Sequence, residues 1–151
     1  IWLSIHLLWH WWPRESVPPL MRVLLLGFAW LPMAMLLYSA QSIYFLATDQ
    51  MLLGRAPAHA LFIGFFGSLL VAMVTRVTQG HSGRPLQLGW PAGFAFVMIQ
   101  VVVVFRIFAE ISPDYLTWQS VSALLWLCAF LPWVLRSTSI YLTPRADGQE
   151  G

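Results

Sequence analysis

Residues 56–75 read APAHALFIGFFGSLLVAMVT, and no charged side chain interrupts them. An α-helix needs about 20 apolar residues to cross the hydrocarbon core of a membrane, and this stretch is long enough. Further charge-free windows of sufficient length are 23–48, 85–105 and 115–135. They lack the strict polar–apolar alternation of membrane β-strands, and a helix satisfies its own backbone groups in lipid. The sequence therefore predicts an all-α, polytopic membrane helix bundle with four full transmembrane helices.

The composition supports a membrane domain, because 59% of the residues are hydrophobic and only 9% are charged. A soluble domain usually has about a quarter of its residues charged. Residues 1–12, IWLSIHLLWHWW, are too short to span and follow no basic segment, so we interpret them as the end of a fifth helix and not as a signal peptide. We expect the C-terminal part of a larger polytopic domain within 1–142. Its predicted helices cover about 1–12, 19–46, 57–78, 90–111 and 115–142. A tail covers 143–151, and its polar end RADGQEG, residues 145–151, is predicted to be disordered.

The basic residues are distributed unevenly between the two sides of the predicted bundle. All eight are arginine, and six of them share one side: Arg14, Arg22, Arg76, Arg84, Arg136 and Arg145. The opposite side carries the charged residues Arg55, Arg106, Asp49, Glu110 and Asp114. The positive-inside rule predicts that the loops 13–22 and 76–90 and the C-terminal tail are cytoplasmic. The arginines mark a membrane side and form no single basic patch, so nothing indicates nucleic-acid binding.

Small residues recur every four positions along the second predicted helix, at Ala60, Gly64, Ser68 and Ala72. Small residues at this spacing allow a neighbouring helix to approach closely, so the pattern predicts a packing face. The same spacing continued leads to Arg76. We therefore expect Arg76 to leave the membrane on the packed face, where it is a candidate to contact a group held inside the bundle.

Two histidines, His59 and His81, flank the second predicted helix and are candidate metal ligands. Imidazole is a common metal ligand and the usual axial ligand of haem. The two residues are about 33 Å apart if the chain between them is helical, so they cannot share one ion. The alternative for His59 is an interfacial histidine in a polar cap. His6 and His10 share a helix face and either chelate a metal or belong to an interfacial belt with the neighbouring tryptophans.

The loop GHSGRP, residues 80–85, ends the second predicted helix. Gly80 and Gly83 permit tight or left-handed backbone conformations. Arg76 and Arg84 supply planar donors that suit a carboxylate or a phosphate, such as a haem propionate, a lipid head group or a partner's carboxylate. The alternative is a plain cytoplasmic turn with a glycine helix cap.

Two further features concern the helices themselves. Pro32 and Pro132 lie inside predicted helices, where the missing N–H group favours a kink. Arg106 and Glu110 are four residues apart near one end of the third span, and this spacing predicts a structural ion pair.

The segment AHALFIGFFGSLLVAMVTRVTQGHSGRPL, residues 58–86, resembles the pattern LHALxxGxxGxxxxAMxTRVTLGHTGRPL of the NnrS family. Upstream, LLLGFAWLPMAM at 24–35 is similar to the family's LHLGYAWLPLGL. Gln79 and Ser82 replace the usual Leu and Thr, and Leu25 stands where the family often has His. The matching positions include His59, Gly64, Gly67, Met73, Arg76, Gly80, His81, Gly83 and Arg84.

The NnrS family comprises polytopic proteins of the bacterial inner (cytoplasmic) membrane that are longer than this chain. They are described as binding haem and copper and as linked to nitric oxide metabolism, denitrification and nitrosative stress. The resemblance implies His59 and His81 as metal ligands and Arg76 and Arg84 as contacts for haem propionates. It implies nitric oxide, membrane lipid and the N-terminal remainder of the chain as partners.

Two other functions remain open at this point, and no catalytic residue is indicated. A transporter or channel is suggested by the helices with Pro32 and Pro132, although no charge lies at the membrane midplane. The other alternative is a membrane subunit of a redox complex that carries no cofactor of its own. Visible absorption separates the haem and copper protein from the other two hypotheses, because only the first predicts a haem band that shifts with nitric oxide.

Overall fold

The computed structural model describes residues 2–11 and 17–148, and within those ranges all regular elements are helices. A π-helical segment, Ala60–Gly67, joins the helix Ala56–His59 to the helix Ser68–His81, so that the three form one continuous helix. The remaining elements are α1 (Trp2–Trp11), α2 (Pro19–Phe28), α3 (Trp30–Thr48), α4 (Ala56–His59), α5 (Ser68–His81), α6 (Trp90–Ile111) and α7 (Tyr115–Tyr141). The predicted all-α helix bundle is confirmed.

Four helical stretches are long and apolar enough to cross a membrane: Pro19–Thr48, Ala56–His81, Trp90–Ile111 and Tyr115–Tyr141. Their outward faces carry large exposed apolar side chains, such as Phe62 and Leu124, which need lipid or further helices to shield them from water. The chain is therefore a multi-pass membrane protein. The second stretch extends beyond the predicted end at Thr78, so that His81 belongs to the last turn of α5 and does not follow the helix.

Proline interrupts the first spanning stretch but not the last. The helix breaks at Ala29, between α2 and α3, where the N–H of Ala29 donates to Leu26 instead of continuing the α-helical pattern. Pro32 follows closely and has no N–H group to donate to the carbonyl of Phe28. In contrast, α7 continues through Pro132 as one helix.

The core lies where α5, α6 and α7 meet. Val71, Ala95 and Ile99 are completely buried there, and Trp133 of α7 packs against them. The indole Nε1 of Trp133 donates to Oγ1 of Thr75 at 2.9 Å. The large aromatic ring of Trp133 is thus buried while its N–H group keeps a hydrogen-bond partner. Inside a membrane such a partner must come from the protein, because no water is available.

A polar chain at the centre of the bundle connects three of the spanning helices. Trp30 Nε1 donates to Oε1 of Gln100 at 2.6 Å, and Nε2 of Gln100 donates to Oγ of Ser68 at 3.0 Å. Gly64 permits this contact, because a Cβ atom there would lie 2.6 Å from the ring of Trp30. These bonds link α3, α5 and α6 in a region without water to replace them.

The packing face of small residues is confirmed, because Ala60, Gly64, Ser68 and Ala72 are all buried. The expectation for Arg76 is wrong, since its side chain is exposed. In the π segment the helix winds more slowly, and a four-residue spacing stays near one face. In α5 the period returns to 3.6 residues, so the buried face moves to Thr75 and Arg76 turns outward.

Candidate functional site

Most charged residues of the described chain lie at the two ends of the bundle. At the Glu110 end, α3 and α6 end and α4 and α7 begin. At the Arg84 end, α2 begins, the loop 82–89 joins α5 to α6, and α7 ends. The structure divides the predicted site residues between these ends. His59 lies at the Glu110 end, and Arg76, His81 and Arg84 lie at or near the Arg84 end.

The buried carboxylate of Glu110 contacts two basic residues at its end of the bundle. Its Oε2 accepts the backbone N–H of Arg55 at 3.0 Å. Its Oε1 lies 3.9 Å from Nδ1 of His59 and 4.0 Å from Nε of Arg55, and the side chain is only 8% exposed. Gly54 has a positive φ of 47°, and a Cβ atom there would collide with this carboxylate. The turn before α4 is therefore shaped to bring Arg55 over Glu110.

The predicted ion pair between Arg106 and Glu110 is wrong. Within residues 2–11 and 17–148, the ion-pair partners of Glu110 are Arg55 and His59, because the turn before α4 folds over the end of α6. Nε of Arg106 is buried and has no hydrogen-bond partner there. No sequence pattern predicted the Arg55–Glu110 contact, because its residues belong to different predicted segments.

His59 has a nitrogen atom that no hydrogen bond satisfies. Its Nδ1 is buried and unpartnered, as is Oε1 of Glu110, and 3.9 Å between them is too long for a direct hydrogen bond. An unsatisfied buried polar atom is costly in a membrane span and calls for an explanation by water, an ion or a ligand. His59 therefore combines features of both interpretations, a polar cap and an available ligand nitrogen.

The loop 82–89 is folded tightly against the end of α5. Gln79 holds it with two bonds, since its Nε2 donates to the carbonyl of Gln87 at 2.8 Å and its Oε1 accepts the Gln87 N–H at 2.9 Å. Gly83 has a φ of 66°, which favours glycine, whereas Gly80 is helical. A leucine at position 79 could make neither bond.

The C-terminal tail covers this loop, so the expectation of disorder is wrong for 145–148; residues 149–151 lie outside the described ranges. The N–H of Ala146 donates to the carbonyl of Ser82 at 2.9 Å. Arg145 and Asp147 form an ion pair of 2.6 Å beside Gly83. The Asp147 carboxylate raises the pKa of Arg145 above its ordinary value, mainly by accepting its hydrogen bonds.

A cavity of about 130 Å³ opens between this loop and α7. Arg84 and Arg136 both line it, with no acidic residue among its walls. Nη1 of Arg84 is buried without a partner, while Nη2 makes a 3.4 Å bond to Oγ1 of Thr143. The remaining walls are Thr75, Thr78, Gln79, Pro85, Gln87, Gly89, Pro91, Ala92, Trp133, Ser137 and Ile140. Sequence reasoning assigned no functional role to Arg136, because only the packing of α7 brings it to the loop.

The other residues predicted to hold a metal or cofactor are exposed. His81 and Arg76 are exposed at the Arg84 end. The rings of His6 and His10 lie 4.3 Å apart on α1, as their spacing predicts. No group of three or more His, Cys, Asp or Glu residues able to surround a metal ion is present in the described part of the chain.

An apolar groove of about 510 Å³ runs beside the π segment and α5, facing α6 and α7. Its walls are almost entirely hydrocarbon and aromatic: Phe62, Ile63, Phe66, Gly67, Leu69, Leu70, Met73, Val74, Ile99, Trp126 and Phe130. It begins one turn after His59 in the sequence, and its size is in the range of pockets for small organic ligands.

Comparison with known proteins adds one finding to this geometry. A family model described as NnrS protein matches residues 2–145. No curated protein and no solved structure matches the chain. The match includes both ends of the bundle, with His59, His81, Arg76 and Arg84 inside it. A match over nearly the whole chain shows the family, and the chain belongs to the NnrS family.

Proposed function

We propose that this chain is part of a haem- and copper-containing membrane protein of the NnrS type, which acts in nitric oxide metabolism, response or protection. Family membership supports the class of protein. The observation that supports a bound cofactor is the buried Nδ1 of His59, which has no hydrogen-bond partner in a membrane span. The excess of arginine at the Arg84 end supports a bacterial inner-membrane orientation with that end and the C-terminus in the cytoplasm.

The available residues fit haem better than they fit copper. Haem needs one imidazole as an axial ligand, and His59 or His81 each offers one. Copper needs several ligands, and the described residues provide no cluster of three His, Cys, Asp or Glu side chains. The proposal therefore assigns His59 and His81 as single protein ligands and takes any further copper ligands from residues outside the described ranges.

The separation of the two histidines constrains the role of the arginines. About 33 Å of helix separates His59 from His81, which is too far for the propionates of a haem on His59 to reach the Arg84 end. Arg76 and Arg84 therefore belong with a haem held by His81. A haem held by His59 would have Glu110 and Arg55 as its charged neighbours.

A bound haem would supply an iron centre that binds nitric oxide. The residues of this chain contribute the imidazoles, guanidiniums that neutralise propionates, and spans that exclude water. Nitric oxide is an apolar gas that partitions into lipid. The groove beside α5, with its hydrocarbon walls, is open to it from the membrane.

An absorption spectrum of the full-length protein in detergent, with metal analysis, tests the proposal. We expect a Soret band that shifts with nitric oxide, together with copper. His59→Ala and His81→Ala should each lose haem or copper, whereas His10→Ala, on the separate helix α1, should keep both. Normal loading in the first two variants would disprove the site assignment. A colourless, metal-free protein would favour a transporter or a cofactor-free subunit of a redox complex.

A further inference from the structure

We propose that the cavity at the Arg84 end binds a phosphate group, with Arg84 and Arg136 as its charge partners. The two guanidiniums come from different elements, the loop 82–89 and α7, and line the same cavity of about 130 Å³. Guanidinium groups match the oxygens of phosphate with paired donors. This proposal goes beyond the function proposed above and does not depend on a bound haem.

The cavity has unsatisfied positive charge. Nη1 of Arg84 is buried without a hydrogen-bond partner, so one of its strong donors lacks an acceptor. None of the lining residues is acidic. The nearby carboxylate of Asp147 makes two hydrogen bonds to Arg145, at 2.6 and 3.0 Å. An anion from outside the chain would satisfy the donor and reduce the repulsion between Arg84 and Arg136.

The walls of the cavity indicate the size and class of the ligand. Hydroxyl and amide side chains of Ser137 and Gln79 add neutral polar groups beside the two arginines. A volume of about 130 Å³ accommodates a phosphate group but is much too small for a porphyrin ring. Trp133 and Ile140, which lead into the membrane span, make part of the wall apolar. The phosphate therefore has two sources, a lipid head group or free phosphate.

The test uses the full-length protein in detergent, stripped of lipid, and measures its thermal unfolding while a ligand is titrated. The probes are inorganic phosphate and dioctanoyl phosphatidic acid, with dioctanoylglycerol as the phosphate-free control. We expect a phosphate probe to raise the unfolding temperature and dioctanoylglycerol not to raise it. The probe that binds more tightly identifies the source.

Three variants locate the binding site. Arg84→Gln and Arg136→Gln should each weaken phosphate binding at least tenfold, because a hydrogen-bonded charge partner is lost. Arg136 is exposed, so its replacement leaves the fold intact even if Arg84→Gln disturbs it. Arg22→Gln is the matched control, as Arg22 is exposed at the same end but does not line the cavity.

The result that overturns the proposal is an absence of phosphate-dependent stabilisation, or equal stabilisation in the wild type and both cavity variants. The haem content of Arg84→Gln separates this proposal from the previous one. Loss of haem with unchanged affinity for phosphate would assign Arg84 to a propionate and contradict the phosphate site. Phosphate binding by a protein that contains no haem would contradict the proposed function alone.

Discussion

The two ends of the bundle differ in whether their charges are compensated by other residues of the chain. At the Glu110 end, one buried carboxylate lies between His59 and the guanidinium of Arg55, and the charges compensate within the chain. At the Arg84 end, Arg84 and Arg136 share a cavity without a carboxylate. At the Glu110 end the charges are paired within the chain, whereas at the Arg84 end two guanidiniums remain available for an external anion.

Burial explains why this difference matters energetically. An ion pair removed from water contributes little net stability, but removal of one partner leaves the other uncompensated and is costly. Exposed charges can rearrange and are screened, so their removal costs little. Substitutions should therefore be costly at the Glu110 end and mild at the Arg84 end.

Glu110→Gln should have the largest effect, lowering the free energy of unfolding by about 2 to 3 kcal/mol, because the buried carboxylate that pairs with His59 and Arg55 is lost. Denaturant unfolding in detergent measures it. Asp114→Asn, at the same end but exposed, should stay within about 0.5 kcal/mol of the wild type. Equal stability of the two variants would show that the burial of Glu110 and its ion pairs does not stabilise this end of the bundle.

Gly54→Ala should cost about 2 kcal/mol, because φ is 47° and the new Cβ atom would collide with the carboxylate of Glu110. Gly80→Ala provides the comparison at the other end. Nothing lies within 4 Å of its Cβ position, and its backbone is helical, so alanine should add about 0.5 to 1 kcal/mol. Thermal unfolding of both variants measures the two losses of stability. A Gly54→Ala protein as stable as the wild type would contradict the close contact with Glu110.

Gln79→Leu introduces the usual family residue and should cost about 1 to 2 kcal/mol, because both bonds to the backbone of Gln87 are lost. Hydrogen exchange of the Gln87 amide should accelerate. Gln79→Glu keeps the acceptor for that amide and should accelerate it less. Unchanged exchange in the leucine variant would show that the loop is held by other contacts.

Asp147→Asn should have the smallest effect, with no measurable change in unfolding temperature, because its ion pair with Arg145 lies in the solvent-accessible tail. Arg145 is charged at all physiological pH values, as arginine is in general, and Asp147 raises its pKa further. A large loss of stability would mean that the tail is an integral part of the Arg84 end.

The sequence was sufficient for the spans and insufficient for the contacts between them. Charge-free windows reveal membrane helices because lipid excludes charge, and that rule needs no tertiary structure. The contact of His59 with Glu110 joins α4 to α6, and the cavity joins a loop to α7. Such pairings depend on how helices are rotated and packed, which local patterns do not encode.

Arg76 shows how a local pattern fails. A spacing of four was extended from Ala60 to Arg76 as if the helix were uniform, but the winding changes after Gly67. The helix returns to 3.6 residues per turn, and each further step of four drifts by about 40°. In a uniform α-helix the same drift, summed over the four steps from Ala60 to Arg76, already reaches about 160°, so α-helix geometry alone argues against extending the packing face to Arg76.

The π segment also links the number of residues in this helix to its geometry, because that number determines how α5 is rotated relative to α4. Deletion of one residue within Ala60–Gly67 would rotate everything beyond it relative to α4, by less than the about 100° that one α-helical residue contributes, and would shorten the helix. Either His59 would turn away from Glu110, or α5 would present a different face to α7. An insertion or deletion here therefore acts on both ends of the bundle at once, whereas one in the loop 82–89 acts on a single end.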